Sequence, residues 1–244
     1  MKAIRLFVQV IMQSVMSTEI IDFGVSDYED TLALQTDIFE ELKRQKSTGE
    51  EEKEYILIGE HHPVITLGRR AKSENLLASD SFLQTKGIKV FRIGRGGDIT
   101  YHSPGQLIMY PILDLEKHSL GVKDFVHIME ETVIRLLNKY GIKGERVDGA
   151  TGVWIGKGGS QERKICAMGI KCSRFCTMHG LALNVNTDLT GFNMINPCGF
   201  QDKGVTSLKK ELGKEIEMEK IKEEILNIFL GLIFPLEEVF HFSK

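Results

Sequence analysis

The sequence predicts a single-domain α+β fold, and three observations carry that prediction. Apolar residues recur at helical spacing in well-separated stretches near residues 28–44, 122–140 and 218–232. Short β-type runs fill the space between them, and the two kinds of element alternate irregularly, unlike the regular βαβ order of a doubly wound parallel sheet. No internal repeat, low-complexity tract or Pro/Ser-rich linker divides the 244 residues, a length that buries a substantial core without disulfides.

The first helix follows from Tyr28, Leu32, Phe39 and Leu42 on one face, with acidic residues early and Lys43 and Arg44 late, as the helix dipole favours. The charged run Lys46 to Glu54 reads as a solvated loop leading into EYILIGEHHPVITLG, where Pro63 interrupts or begins a strand. A short helical segment spans Ser79 to Lys86. IKVFRI, DITYH and QLIMYPILDL then read as the strands of a small mixed or antiparallel sheet, punctuated by Gly96-Gly97 and Pro104-Gly105. Phe125, Val126, Met129, Val133, Leu136 and Leu137 mark the second long helix, which Gly141 is placed to end. GVWI, RKICAMGIK and GLALNVN are further strands, and Met218, Ile221, Ile225, Ile228, Phe229 and Leu232 define the closing helix.

A formal net charge of -3 lacks the basic excess that a nucleic-acid partner requires. No apolar run is long enough to span a bilayer. Four cysteines make no disulfide framework and match no common zinc pair, so the reading is a reducing compartment: the cytoplasm, or an organellar matrix in a eukaryote. Residues 1–16 read as an N-terminal extension ahead of a domain over residues 17–244. That extension is either a targeting segment, given its two basic residues before an apolar stretch, or the product of an upstream start, since Met16 opens a plausible N-terminus.

The string RIGRGGDITYHSPGQL concentrates glycine beside Arg92 and Arg95. Adjacent glycines let backbone N–H groups approach a ligand closely; the plainer reading is a hairpin turn. It is neither a P-loop nor a dinucleotide fingerprint. His61 and His62 point to opposite faces of a strand, and with His102 and His179 as singletons no metal site is expected. His102, in a Gly/Pro-bounded turn, either lines a pocket or makes a structural hydrogen bond. Cys166 and Cys172 share a strand face with Met168 and Ile170 and read as packing residues, while Cys176 falls in a polar turn. Cys198, between Pro197 and Gly199, is the cysteine whose surroundings suit an exposed thiol. A nucleophilic thiol needs a neighbouring cation or base, and Lys164 is one candidate within an acid-free run from Arg163 to Thr187.

Taken together in order, GEHHPVITLGRR, RGGDITYHSPGQL, RKICAMGIK, MHGLALNVNTDL and INPCGFQDKGVTSL resemble the lipoyl(octanoyl) transferase family from about Glu60 through Leu212. The resemblance implies the biotin/lipoate protein ligase superfamily fold, a mixed sheet flanked by helices, with the catalytic domain over residues 17–244. It implies Cys198 and Lys164 as catalytic residues. It also implies a substrate-binding surface from Arg95, Gly96, Gly97, Asp98, Ile99, Thr100, Tyr101 and His102, from Ala167, Met168 and Gly169, and from Gly180, Leu181 and Ala182. Ser103 stands where many relatives carry glycine. The implied reaction moves octanoyl from octanoyl-acyl carrier protein to a lysine of lipoyl domains, those of 2-oxoacid dehydrogenases and the glycine cleavage H protein, through a thioester on Cys198. Such an exchange needs no ATP, metal or organic cofactor. Arg69, Arg70, Lys171 and Arg174 are docking candidates for acidic carriers, or ordinary surface charge. Two rivals remain at this level: an ATP-dependent lipoate or biotin protein ligase, and a non-catalytic lipoyl-domain binding module.

Overall fold

The computed structural model describes residues 18–196 and 204–234; Cys198 and the expected N-terminal extension lie outside them. In chain order the elements are β1 (Thr18–Ser26), α1 (Tyr28–Thr48), β2 (Glu54–His61), β3 (Val64–Leu67), α2 (Asp80–Thr85), β4 (Lys89–Arg92), β5 (Ile99–His102) and β6 (Gln106–Ile112). They continue with α3 (Val122–Lys139), β7 (Glu145–Val147), β8 (Ala150–Ile155), β9 (Arg163–Ser173), β10 (Cys176–Asn184), β11 (Gly204–Val205), α4 (Leu208–Leu212) and α5 (Met218–Ile233).

Among the described residues the main sheet runs β1-β2-β6-β10-β9-β8-β7, with β11 added beside the start of β9. Only β1–β2 and β11–β9 pair in parallel, so the sheet is mixed. Every residue of β6 is buried. Because alternate side chains leave a strand on opposite faces, β6 serves two cores. Leu107 and Met109 pack with Phe125, Met129, Val133 and Leu136 of α3 and with Ile221, Ile225 and Phe229 of α5. Ile108, Tyr110 and Ile112 pack on the other face with Phe39 and Leu42 of α1. The Phe125 and Phe229 rings meet edge to face with centroids 6.4 Å apart, and truncating either ring to alanine would cost about 3–5 kcal/mol.

The smaller sheet, β4-β3-β5, turns Ile65, Leu67, Ile99 and Tyr101 toward a third core with Leu83 of α2, Phe192 and Ile195. Its other face carries Thr66, Thr100 and His102, all buried. The sequence places IKVFRI, DITYH and QLIMYPILDL in one small sheet; the third instead joins the main sheet, because its unbroken apolar run needs cover on both faces. The glycine-rich segment is also no hairpin: β3 lies between β4 and β5, so residues 93–98 cross the end of β3. The expected loop from Lys46 to Glu54 is cut at both ends. Helix α1 runs on to Thr48, and Glu54 opens β2 fully buried, accepting from Asp114 N at 2.8 Å and lying 2.9 Å from His118 Nε2.

Candidate active site

A cavity of about 440 Å³ opens beside β9, within the range of small-molecule sites. β9 lines it from Lys164 through Ala167, Met168, Gly169 and Ile170, α3 contributes Val126 and Met129, and β8 contributes Trp154. The segment Gly96 to Thr100 closes the opposite side, and Gly204 and Val205 of β11 reach it as well.

Lys164 is positioned by strand register. It pairs with Trp154, while the next ladder partner of β8, Val153, pairs with Cys166, leaving Ile165 as the extra residue of a β-bulge. Bulges re-aim side chains, and here both Ile165 and Cys166 are fully buried while Lys164 turns into the cavity. Its Nζ donates to the Thr151 carbonyl at 3.1 Å and lies 4.5 Å from the centroid of the Trp154 ring. Trp154 is itself fixed, buried with Nε1 donating to the Ala150 carbonyl at 2.8 Å. β11 pairs with β9 at this same position, Val205 opposite Lys164. The neighbouring Arg163 makes a two-pronged ion pair with Glu211 at 2.7 and 2.6 Å, holding α4 against the start of β9.

The glycine-rich segment is folded down onto β9. Gly96 N donates to the Ile170 carbonyl at 2.8 Å, and a Cβ on Gly169 would stand 2.6 Å from the Gly96 carbonyl oxygen. Arg95 is nearly buried, and its guanidinium donates to the Thr66 carbonyl at 2.8 Å, to Thr66 Oγ1 at 2.9 Å and to the Gly96 carbonyl at 3.0 Å. The Asp98 carboxylate accepts from Asn75 Nδ2 at 2.6 Å and Ile99 N at 2.8 Å, so it braces the segment. The string therefore works as a cradle wall.

The expected substrate surface divides in three. Gly96, Gly97, Asp98, Ile99, Thr100, Ala167, Met168, Gly169 and Ala182 line the main cavity together with Lys164. Arg95, His102, Gly180 and Leu181 line a smaller cavity behind it. Tyr101 lines neither; its ring packs over Gly191 and edge-on to Phe192, in the third core. Val126, Met129 and Trp154 went unrecognised as site residues, because an apolar residue that lines a pocket and one that fills a core obey the same periodicity.

His61, His102 and His179 do meet, around Tyr110: His61 Nε2 is 2.9 Å from Tyr110 Oη, the His61 and His102 rings are 6.0 Å apart, and His179 sits edge-on to Tyr110. Burial holds all three well below the usual imidazole range, His61 at about 4 and His102 and His179 at about 3. His102 Nδ1 also starts a buried chain, 2.7 Å to Gln106 Oε1, then from Gln106 Nε2 to Asn184 Oδ1 at 2.8 Å, and from Asn184 Nδ2 to the Thr206 carbonyl at 2.9 Å. Thr206 N in turn donates to the Lys164 carbonyl at 3.0 Å. The histidine cluster is thus tied to the strand that carries the lysine.

The other cysteines are poor nucleophiles. Cys166 and Cys176 are fully buried, and burial pushes both thiols up, Cys176 to about 12; the partly buried Cys172 shifts the same way. Cys176 is thereby removed from the polar turn expected for it: it opens β10. Arg70 lines the cavity, whereas Arg174 lies ten residues along β9 and its turn from Lys164, roughly 30 Å at strand rise.

Residues 27–230 match the family model of the lipoyl protein ligase A/B catalytic domain, and the chain belongs to that family. A lipoate-protein ligase A bound with ATP shares the fold, with a TM-score of 0.67 at 14% identity over 88% of this chain and 84% of its own. Within the family this chain falls with the octanoyltransferases. That of Parabacteroides distasonis is 50% identical over 212 residues, 86% of this chain and 96% of its own, and one from Bacteroides fragilis is 49% identical over 86% and 95%.

Proposed function

We propose that this chain moves an octanoyl group from acyl carrier protein to a lysine of a lipoyl domain, with Cys198 as the transient carrier and Lys164 as its charge partner. The observation that carries the reading is the placement of Lys164: a cation lining the cavity beside Val126, Met129 and Met168, on the strand that Gly204 and Val205 join, six and seven residues after Cys198 in sequence.

In the first half-reaction the Cys198 thiolate attacks the thioester carbonyl, forming the octanoyl–Cys198 bond as the bond to the carrier's sulfur breaks. The proton lost by Cys198 ends on the departing thiol, and the Lys164 ammonium stabilises the negative charge as it passes between the two sulfurs. In the second, the acceptor lysine's amine attacks that thioester, the amide forms, and Cys198 recovers a proton as its thiol. Val126, Met129 and Met168 give the alkyl chain an apolar bed, where each buried methylene is worth about 0.8 kcal/mol. The reading needs no nucleotide, and a reducing compartment keeps the thiol free.

The test is to mix the protein with octanoyl carrier protein without ATP and measure intact mass. One octanoyl group should appear on the wild type, be absent in Cys198→Ala, and pass to an added lipoyl domain. Transfer that strictly requires ATP, or that survives in Cys198→Ala, overturns the reading.

A further inference from the structure

Lys164 takes its direction from one peptide unit, the one that joins Thr151 to Gly152. The carbonyl of that unit, on Thr151, accepts from Lys164 Nζ at 3.1 Å, and its N–H, on Gly152, donates to Glu130 Oε1 at 3.0 Å. A planar trans peptide points these two groups in opposite directions. Whatever fixes the N–H therefore aims the carbonyl.

The sequence builds this unit for one orientation. Gly152 has φ of 118°, which residues with a side chain rarely adopt, and a Cβ there would strike the Cys166 carbonyl oxygen. The same Cβ would lie 3.6 Å from Lys164 Cε, so the glycine sits directly against the lysine's stem. Glycine at 152 thus lets β8 turn its backbone, in place of a side chain, toward the lysine.

Glu130 reaches this peptide from α3. Its neighbour Met129 and the Thr151 residue line the main cavity, and the nearly buried Glu130 stands behind that wall. Its second oxygen accepts from Arg146 Nε at 3.1 Å. Arg146 is held in turn, its Nη2 donating to the His127 carbonyl at 3.1 Å and to Glu131 Oε2 at 2.8 Å. Glu131 and His127 would suffice to anchor the guanidinium; the bond from Gly152 N is what Glu130 adds. A hydrogen bond to a carboxylate is roughly twice as strong as a neutral one, and it polarises the peptide it holds, which makes the carbonyl at the other end a better acceptor for an ammonium.

We propose that Glu130 is a positioning residue for Lys164: acting through the Thr151–Gly152 peptide from behind the cavity wall, it keeps the ammonium aimed at the reacting centre. This rests on the proposed function in taking Lys164 as the charge partner of the reacting thiol.

The experiment compares Glu130→Gln, which keeps an acceptor of the same shape without the charge, and Glu130→Ala with wild type, each alone and combined with Lys164→Ala. Transfer from octanoyl carrier protein to a lipoyl domain should fall about tenfold in kcat for Glu130→Ala and about threefold for Glu130→Gln, with KM within about twofold of wild type. In the Lys164→Ala background neither substitution should slow transfer further, because the group through which Glu130 acts is gone. Acetylation of Lys164 by acetic anhydride, followed by peptide mass, should quicken in Glu130→Ala as the amine leaves the Thr151 carbonyl. Glu130→Gln retains the bond from Gly152 and supplies a folded variant should Glu130→Ala not fold. Losses that add in the double variants, as a merely structural role requires, or a wild-type kcat in either folded single variant, overturn the inference. Should Lys164→Ala itself transfer at the wild-type rate, the lysine's part in the proposed function fails, and acetylation decides the positioning separately: an unchanged rate at Lys164 overturns it.

Discussion

Lys164 and Trp154 are cross-strand partners, and the lysine Nζ lies 4.5 Å from the centre of the indole ring. Ten residues apart in sequence, they are joined by the β8–β9 ladder and by the bulge at Ile165. A cation over the face of tryptophan gains about 0.5–2 kcal/mol depending on how far it is desolvated, and the Thr151 carbonyl fixes its direction. The ammonium is therefore held in place before substrate arrives.

Lys164→Ala should fold normally, because the β8, β9 and β11 ladders use only its backbone. Acyl transfer should fall about 10²–10³-fold, the usual contribution of one positioned donor that stabilises transition-state charge. Octanoyl–enzyme formation followed by intact mass reads this directly; a wild-type rate in Lys164→Ala would remove the lysine from the mechanism. Trp154→Phe, which loses the Ala150 hydrogen bond and the larger ring, should give a smaller loss.

Gly169→Ala tests the cradle. The added methyl would meet the Gly96 carbonyl and the Arg95 side chain, so the segment must lift from β9 and give up the bond from Gly96 N to Ile170. Overpacking of this kind costs about 1–3 kcal/mol. The expected signature is a raised KM for octanoyl carrier protein with a modest drop in unfolding free energy. Unchanged KM would show that the segment does not shape the pocket.

Gln106→Leu probes the buried chain. Its removal leaves His102 Nδ1 and Asn184 Oδ1 without their partner, and each orphaned buried group costs about 1–3 kcal/mol. Urea denaturation should show a loss of about 2–5 kcal/mol. A loss below 1 kcal/mol would mean that the chain is readily repaired by neighbours or water.

Much of this was legible in the sequence, and the exceptions share a cause. The long helices could be read because a one-sided apolar stripe repeats over several turns, and Cys166 and Met168 share a core as their spacing implies. Which sheet a strand joins could not be read: QLIMYPI and DITYH look alike locally, and only the long-range pairing of β6 with β2 and β10 separates them. Glu54 illustrates the same limit, since nothing local reveals that His118 and the Asp114 backbone come to meet a carboxylate inside a charged run. The histidines failed for a related reason. Alternation within one strand correctly separates the buried His61 from the exposed His62, but says nothing about His102 and His179 arriving from two other strands.

The cluster those histidines form fixes the sign of the acid response. His61, His102 and His179 are held neutral in the folded protein, near 4, 3 and 3, against about 6.5 when unfolded. Below pH 6.5 the unfolded chain therefore binds protons that the folded chain refuses, so stability is complete well above that value and falls as pH drops toward 4. Each histidine contributes a slope of up to about 1.4 kcal/mol per pH unit across that window. The carboxylates held low by ion pairs, Glu50 at about 2 among them, lose their share only at more acid pH and do not mask it. Urea unfolding at pH 8.5, 7.5, 6.5, 5.5 and 4.5 should show a plateau between the first two, about 1 kcal/mol lost by 6.5, and a steep decline after it. His179→Asn, which keeps a residue tolerant of the left-handed backbone at that position but removes the titrating ring, should make that decline shallower. A wild-type curve that stays flat from pH 6.5 to 4.5 would mean that the three rings gain protons without opening the fold, and that their burial does not hold them neutral.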